Sequence, residues 1–435
     1  MNEPEYDAVV IGAGLGGLLA GAALARRHAS VLVLESLRYV GGRFTTVSQD
    51  GYQISTGALH MAPHGDGGPL ANSLRQLGLA YAIVPRDVYA SFFHQGRHVV
   101  WKRPWDILQL LRPRGQLDLL RIAGALLAGR VPGRDAVFSD WLARQTQDQT
   151  IRLLFESFIQ FALSIRSDQI SCAEMGSIFR NVLRYGMPGI PVGGCNALVQ
   201  SLTDFIAAHG GHVWSDVEVV KILTHDCTGA VQGVQIRNRR SGESTCLRAR
   251  LVVSNLGPEA TQELLRRDGC TSASVLEPTR QLHKAAGVKL HVASDRSLIP
   301  HNGIMFCLGM RRISGMVEVS RAVPSVAPPG MHMINTFQVP GSDSLVEERE
   351  LAIADLRDIF GQDFDRHCQI VRTSAFRSRW PVNQAIQGQD LRNQAPLPGL
   401  VMVGDAYKPS GHIMVEGVAA SVARAFSNLE YGNSS

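Results

Sequence analysis

The fold of this chain is decided by residues 7–17, which read DAVVIGAGLGG. Residues 7–11 start on a charged side chain and continue as an apolar, β-branched run. This is the pattern of a strand buried on both faces of a parallel sheet. A glycine-rich turn follows at once, and a helix is predicted from Leu18 to Arg27. The stretch therefore predicts the first strand, turn and helix of an α/β fold.

The glycines of this stretch have the spacing of a dinucleotide-binding turn. Gly12 permits the tight turn, Gly14 lets the backbone approach a pyrophosphate, and Gly17 lets the helix pack close to the strand. Leu15 and Gly16 are the other residues of this turn that are predicted to contact the dinucleotide. The helix start presents backbone N–H groups to the phosphates, where the helix dipole also favours negative charge.

A second strand is predicted from Ser30 to Leu34, and it ends on Glu35. An acid in this place can accept hydrogen bonds from both hydroxyls of a ribose, and it disfavours a 2′-phosphate. FAD or NAD is therefore expected rather than NADP. Residues 8–25 carry no charge and have the length of a membrane span, but their glycines favour a buried strand, turn and helix.

The segment after Glu35, VGGRF at residues 40–44, points to a flavin. Gly41 and Gly42 bring backbone to a pyrophosphate, and Arg43 brings a fixed positive charge. The arrangement resembles the GG-R signature of the flavin amine oxidase superfamily, which also includes the phytoene desaturases. The resemblance implies FAD as the cofactor, and the alternative is an ordinary glycine turn with a surface arginine.

The middle of the chain carries the same resemblance. Residues 191–198 read PVGGCNAL and open a helix that is predicted to run to about His209. Strand-like segments follow, and residues 249–258 read ARLVVSNLGP. This order is similar to that of the FAD-dependent phytoene desaturase and carotenoid isomerase-like branch of the superfamily. The resemblance implies that the backbone of Val217 contacts the adenine.

The C-terminal part adds a third match, with LPGLVMVGDA at residues 397–406 and a helix predicted from Val418 to Phe426. A strand here delivers Gly404 and Asp405 to a turn. In the family that the chain resembles, the matching Asp lies beside the ribityl–phosphate chain of the flavin. Three residues of the next turn are implied to place backbone N–H groups at the flavin ring, where they stabilise negative charge: Ile413, Met414 and Val415.

Candidate catalytic residues come from the resemblance and from the small number of lysines. Residues 57–60 fall where the family's chain passes the flavin ring, so Gly57 and Ala58 are expected to contact the cofactor and His60 is a catalytic candidate; a structural histidine is the alternative for His60. Lys289 lies on a predicted strand, where a lysine on the exposed face is the alternative. His412 stands where an aromatic cage residue is expected in an amine oxidase. No metal site is predicted.

The dispersed motifs predict two interleaved domains. The resemblance implies an α/β fold with a Rossmann-like, GR2-type FAD-binding domain made of residues 1–70, 189–258 and 391–435. An α+β substrate-binding domain is then expected from residues 71–188 and 259–390.

Three functions are compatible with these motifs. The first is hydride transfer at flavin N5 that desaturates, saturates or isomerises an isoprenoid, polyene-like or other hydrophobic small molecule. The second is oxidation of a small amine, for which Lys289 and Lys408 are the candidate lysines, but aromatic residues make up only 6% of the chain. The third is prenyl binding without catalysis, as in proteins that resemble GDP-dissociation inhibitors, and the intact cofactor motifs disfavour it.

Composition restricts the partners further. The 435 residues are 45% hydrophobic, and the net charge of +5 has no dense basic run, so no nucleic-acid partner is expected. The seven cysteines form no C-x-x-C pair, which disfavours a disulfide framework and fits a cytoplasmic location. Residues 97–130 combine helical apolar spacing with Arg and Trp, and this favours either peripheral contact with the inner face of a membrane or two helices packed on each other.

Overall fold

The computed structural model describes residues 5–225, 229–268, 282–391, 393 and 397–432. In chain order, strands β1 to β16 span Glu5–Ile11, Val31–Leu34, Thr46–Gln49, Tyr52–Ser55, Ala90–His94, Arg97–Trp101, His212–Trp214, Val217–Thr224, Val231–Asn238, Ser244–Ser254, Gly287–Ser294, Ile304–Cys307, Gly315–Glu318, His332–Phe337, Cys368–Phe376 and Leu400–Met402. Helices α1 to α11 span Leu15–Ala25, Pro69–Gln76, Pro113–Leu127, Phe138–Gln145, Gln149–Leu163, Cys172–Tyr185, Gly194–Ala208, Pro258–Arg266, Leu345–Phe360, Gln362–His367 and Met414–Gly432.

The first sheet is built around β1, which runs parallel to β2 on one side and to β10 on the other. Its strand order is β7, β2, β1, β10, β9 and β8, with β16 also parallel to β10. Ala8 to Ile11 are buried, because helices cover one face and the strands β8 and β9 fold an apolar cluster over the other. The predicted α/β, Rossmann-like architecture is thus confirmed.

Helix α1 begins earlier than the sequence predicted, at Leu15 instead of Leu18, with Gly14 as its N-cap residue. The glycines that suggested a turn are also compatible with a helix that must lie close to its neighbours. A Cβ at Gly21, for example, would come within 2.7 Å of the Val33 side chain on β2. Close packing, and not chain reversal, is therefore the function of the later glycines.

The second sheet has the strand order β15, β11, β14, β13, β12, β5 and β6. β5 and β12 are parallel, and the other neighbours are antiparallel. Helix α9 covers one face through Ala352 and Leu356, while α5 packs against the strands of the other face. Lys289 lies on β11, whose residues are all buried, so the expectation of a lysine on an exposed strand face is wrong.

The predicted domain boundary at residue 70 can be compared with the packing of the elements around it. Helix α2 straddles the predicted boundary at residue 70, and its Leu70 and Leu74 join the apolar cluster of α1 and α11 on the first sheet. The exact division into two domains stays a prediction. Among the described residues, no helix is both long enough and apolar enough to cross a membrane.

Candidate functional site

A cleft of about 350 Å³ opens at the carboxyl ends of β1, β2, β10 and β16. Ligands of open α/β sheets bind at this edge, because the turns after parallel strands meet there. The predicted cofactor residues that line it are Gly12, Gly14, Leu15, Gly16, Glu35, Gly41, Gly42, Arg43, Ala58, Asp405, Met414 and Val415. The predicted cofactor residues that are not among its lining residues are Gly17, Gly57, Val217, Gly404 and Ile413.

The turn after β1 is held in shape by close backbone contacts. Gly12 adopts φ +91°, a conformation that favours glycine. A Cβ added at Gly17 would lie 1.9 Å from the carbonyl oxygen of Gly12, so α1 can approach the turn only without a side chain there. A Cβ at Gly42 would lie 3.2 Å from Cα of Gly14, which brings the GG-R segment against the same turn.

Asn255 is a site residue that the sequence analysis did not single out. Its side chain would be 2.9 Å or less from a Cβ at Gly14, at Gly16 or at Gly404. Its Nδ2 also donates to the carbonyl of Gly12 at 3.5 Å. The signal was present in the SN-x-x-P segment at the end of β10, but only the fold places this amide against three glycines of two distant motifs.

Glu35 lies buried at the end of the cleft where the ribose is expected. One carboxylate oxygen accepts the backbone N–H of Ala13 at 2.9 Å, and the other accepts that of Leu37 at 2.9 Å. Burial raises the pKa of Glu35, and these hydrogen bonds oppose that effect. The backbone N–H of Val217 donates to the Glu35 carbonyl at 2.9 Å, which fixes Val217 beside Glu35, and its contact with an adenine stays a prediction.

Arg43 and Asp405 form an ion pair across the middle of the cleft, with 2.8 Å between Nη2 and Oδ2. Nη1 of Arg43 donates to the carbonyls of Pro381 and Val382 at 2.6 and 2.7 Å. Asp405 also accepts the backbone N–H of Gln384 at 3.1 Å. The Arg43–Asp405 pair therefore links three parts of the chain: the GG-R motif, the GD motif and the segment that follows β15.

Lys289 is fully buried and points toward residues 55–57. This segment leads into Ala58 and Leu59, which with Val382 and Met414 line what we call the inner end of the cleft. Nζ of Lys289 donates to the Gly57 carbonyl at 2.6 Å and to the Ser55 hydroxyl. Burial lowers the pKa of Lys289 to about 7. Gly57 is constrained as well, because a Cβ there would lie 2.0 Å from the carbonyl oxygen of Arg43. The structure thus places a partly uncharged amine against Ser55 and Gly57, next in sequence to the lining residues Ala58 and Leu59, although Lys289 itself does not line the cleft.

His60 is buried near the same lysine. Its Nε2 accepts the backbone N–H of Cys195, at the start of α7, at 3.4 Å. Burial, and then the charge of Lys289, lowers the pKa of His60 to about 4, so the ring is neutral at physiological pH. This contact favours the structural alternative for His60, and a catalytic role for it stays a prediction.

His412 is held by α6 and precedes the cleft-lining Met414 by two residues, but it does not itself line the cleft. Nδ2 of Asn181 donates to the Gly411 carbonyl at 2.8 Å and lies 3.5 Å from Nδ1 of His412. The His412 ring is 5.9 Å from the ring of Tyr185, an aromatic that the sequence analysis missed because it comes from a distant helix. Tyr407, the aromatic nearest in sequence, is buried in the core of the first sheet.

Helix α11 begins at Met414, four residues before the predicted start at Val418. Met414 lines the cleft and adopts φ +50°, a left-handed conformation that is uncommon for a residue with a side chain. Strained backbone of this kind is concentrated at functional sites. The first turn of α11 therefore lines the cleft with Met414 and Val415, and its contact with a flavin ring stays a prediction.

Glu416, in the first turn of α11, joins that helix to α2. Its carboxylate accepts the backbone N–H groups of Leu70 at 2.8 Å and of His64 at 3.3 Å. Burial raises the pKa of Glu416 to about 7, above its ordinary value of 4.5. Below about pH 7 the carboxyl is therefore mostly protonated in the folded chain.

This raised pKa predicts a pH-dependent stability. The contribution of Glu416 is complete below about pH 4.5 and is lost as the pH rises through about 7. We expect the difference in free energy of unfolding between the wild type and Glu416→Gln to fall by on the order of 3 kcal/mol over this range. Urea unfolding of both proteins across the range measures it, and a difference that is constant with pH would contradict the assignment.

Comparison with known proteins agrees with this geometry. The family model for flavin-containing amine oxidoreductases matches residues 15–425. An uncharacterized protein of Methanocaldococcus jannaschii is 31% identical over 416 residues, which cover 95% of this chain and 97% of that protein. The crystal structure of an oxidoreductase from Methanosarcina mazei is similar with a TM-score of 0.88 and 33% identity, over 97% of this chain and 99% of that one.

A shorter match is more specific. Prolycopene isomerase of Arabidopsis thaliana is 38% identical over 96 residues, which are 21% of this chain and 16% of that protein. The match is consistent with the carotenoid isomerase-like branch that the motifs predicted. It covers a small part of the isomerase, so it carries no substrate assignment by itself.

Proposed function

The chain belongs to the family of flavin-containing amine oxidoreductases, and from that premise we propose that it binds FAD in the cleft described above. It is a flavin-dependent oxidoreductase; the dinucleotide form is what we infer from the residues. The buried acid Glu35 suits the adenosine ribose, and the fixed cation Arg43 suits a pyrophosphate. Between Glu35 and Arg43, the turn glycines leave no room for a Cβ, so the backbone itself forms the wall that faces the cofactor.

The identity of the cofactor is tested by releasing it from the purified yellow protein and separating it chromatographically. We expect FAD in near-equal amount to the protein. Release of FMN would contradict a site for adenosine at Glu35 and would limit the proposal to a mononucleotide.

We propose that the substrate is a hydrophobic small molecule of the isoprenoid or polyene-like class. The observation that carries this is the aliphatic character of the inner end of the cleft. Ala58, Leu59, Val382 and Met414 line the cleft there and pack on an apolar cluster that continues into the second sheet. Met61, Ile190, Ala285, Ile386 and Ile413 are members of that cluster. Apolar walls of this kind bind an apolar chain by excluding water.

The reaction that fits is addition or removal of hydrogen across a carbon–carbon bond, or the related isomerisation. When bound, flavin supplies a hydride acceptor or donor at N5. Formation of a double bond also releases a proton from the neighbouring carbon, and this proton needs a base. Nζ of Lys289 is the candidate, because above about pH 7 the buried amine is uncharged and can accept a proton. Its hydrogen bonds to Ser55 and Gly57 orient it.

Replacing Lys289 with methionine tests this role. We expect flavin reduction by substrate to slow by about a hundredfold or more, the usual contribution of a general base. In the wild type the rate of flavin reduction should rise as the pH passes through about 7, whereas in the variant this rate should not rise in that range. Lys284→Met is the matched control, because Lys284 lies nearby in sequence but pairs with Glu259 at the surface. Unchanged reduction in Lys289→Met would exclude a catalytic lysine.

The substrate class is tested by anaerobic bleaching of the flavin against a panel of carotenoid precursors, smaller isoprenoids, and primary and secondary amines. For a saturase or isomerase, the chemically reduced protein is mixed with the same panel and reoxidation or product isomer is measured. We expect a response to isoprenoids. Bleaching by amines alone would overturn the proposed substrate class and leave the amine oxidase alternative.

A further inference from the structure

Helix α3 has two apolar stripes, and only one of them is covered by the chain. Gly115, Leu119, Ile122 and Leu126 form the buried stripe, which packs toward α6 and α4. Leu117, Leu120, Gly124 and Leu127 form the other stripe. At 3.6 residues per turn the two stripes lie roughly 150° apart around the helix. A helix packed only within its own domain needs one stripe, so the second requires an explanation.

The outer stripe is well exposed. Leu117 is 64% exposed and Leu120 is 54% exposed. Trp105, which precedes the short helix Asp106–Leu110, is 70% exposed. This short helix is fixed to α3 because the Gln116 amide donates to the carbonyls of Leu108 and Leu111 at 3.1 and 3.2 Å. The segment therefore presents large apolar side chains from a rigid support.

Charge is concentrated on the same segment. Residues 97–130 contain seven Lys or Arg and two Asp, so they carry +5, which equals the net charge of the whole chain. All seven cations are exposed: Arg97, Lys102, Arg103, Arg112, Arg114, Arg121 and Arg130. The two acids are engaged locally, since Asp106 accepts the N–H groups of Lys102 and Arg103 and Asp118 accepts the Thr146 hydroxyl.

We propose that residues 97–130 dock the protein on the surface of an anionic phospholipid membrane. Exposed leucines and an indole enter the interface between headgroups and acyl chains, and the surrounding arginines pair with lipid phosphates. A nucleic acid would pair with the cations but would leave the leucines of the outer stripe exposed to water. A second copy of the chain would carry the same positive charge and would be repelled. An anionic lipid surface satisfies both the apolar and the charged groups.

The fold connects this surface to the candidate site. Helix α3 packs against one side of α6, where Nη1 of Arg180 donates to the Leu126 carbonyl at 3.4 Å. At the next residue of α6, Asn181 contacts the Gly411 carbonyl and His412, which come shortly before Met414, a residue that lines the inner end of the cleft. A single helix thus separates the proposed membrane face from the end of the cleft where the substrate is expected, although the docking proposal does not depend on that substrate.

The test is flotation of the flavin-containing protein with vesicles of phosphatidylcholine, alone or mixed with equal phosphatidylglycerol. We expect binding to the anionic vesicles, weaker binding to the neutral ones, and weakening by salt. The double variant Leu117→Ser, Leu120→Ser should lower the partition coefficient by about tenfold. Arg114→Gln and Arg121→Gln should each lower it by about fivefold on anionic vesicles.

Matched controls lie on the exposed face of α9. Val346→Ser removes a side chain that is 67% exposed, and Arg349→Gln removes an exposed arginine, and both should bind as the wild type does. Flavin absorbance and the thermal midpoint verify that each variant is folded. The proposal is wrong if the wild type does not bind anionic vesicles, or if the α3 variants bind as the α9 variants do. It is also wrong if the leucine variants only abolish a dimer or the binding of RNA.

Discussion

Replacing Gly17 with alanine is expected to produce a protein that no longer retains its flavin. The added Cβ would lie 1.9 Å from the carbonyl oxygen of Gly12, well inside any allowed contact. The Gly12 oxygen is backbone and a Cβ is fixed rigidly by the helix backbone, so neither can move aside alone and α1 must shift away from the turn after β1. Overpacking of this kind costs about 3 kcal/mol at the upper end of its usual range, which corresponds to about a hundredfold in cofactor affinity.

The measurement is the flavin content after purification, followed by titration of the apoprotein with FAD. Gly124→Ala is the matched control, because Gly124 lies inside α3 with nothing within 4 Å of an added Cβ. That substitution should leave the flavin content unchanged and raise stability slightly, since alanine is the better helix former. A Gly17→Ala protein with a full complement of flavin would show that the turn tolerates displacement and would contradict the tight cradle.

Breaking the ion pair between Arg43 and Asp405 is the second large effect. Arg43→Met leaves the Asp405 carboxylate unpaired, and it also frees the carbonyls of Pro381 and Val382. Removal of one partner from a buried pair costs about 3–5 kcal/mol, and we expect roughly 2–3 kcal/mol here because the Arg43 side chain is 28% exposed. FAD affinity should fall by at least the corresponding factor, since the pyrophosphate also loses its cation.

A double-mutant cycle separates these contributions. Asp405→Asn alone leaves Arg43 charged, and the combination with Arg43→Met should cost little more than Arg43→Met by itself. Arg377→Met is the control, because Arg377 lies a few residues from the same segment but donates outward, to the Asp343 carbonyl at 2.8 Å. Thermal midpoints of the apoproteins report the pair itself. Additive losses from the two single changes would mean that they act independently.

These predictions rest on features that the sequence revealed to different degrees. The first strand, the glycine turn and the second strand that ends just before Glu35 were predicted correctly because each depends on local chemistry. A strand buried on both faces must be apolar, and a backbone that approaches another backbone must lack a Cβ. The start of α1 was placed three residues late, and that of α11 four residues late, because glycine and a strained Met414 do not resemble helix starts in sequence.

The cofactor motifs could be found one by one, but their contacts could not. Arg43 and Asp405 are 362 positions apart, and nothing local indicates that one pairs with the other. The position of Asn255 beneath three glycines is equally invisible, since it requires β10 to lie next to both β1 and β16. Such contacts follow from strand order, which is a property of the whole sheet.

The sequence by itself thus determined the family and the glycine turn and acid, Glu35, that line the cleft. Only the tertiary structure decided the burial of Lys289 and the exposure of α3. A lysine on a strand is a surface residue or a buried base according to which sheet covers it, and the lowered pKa arises from that burial. A leucine stripe on a helix is core or surface according to what packs against it, and burial by distant segments cannot be read from local spacing.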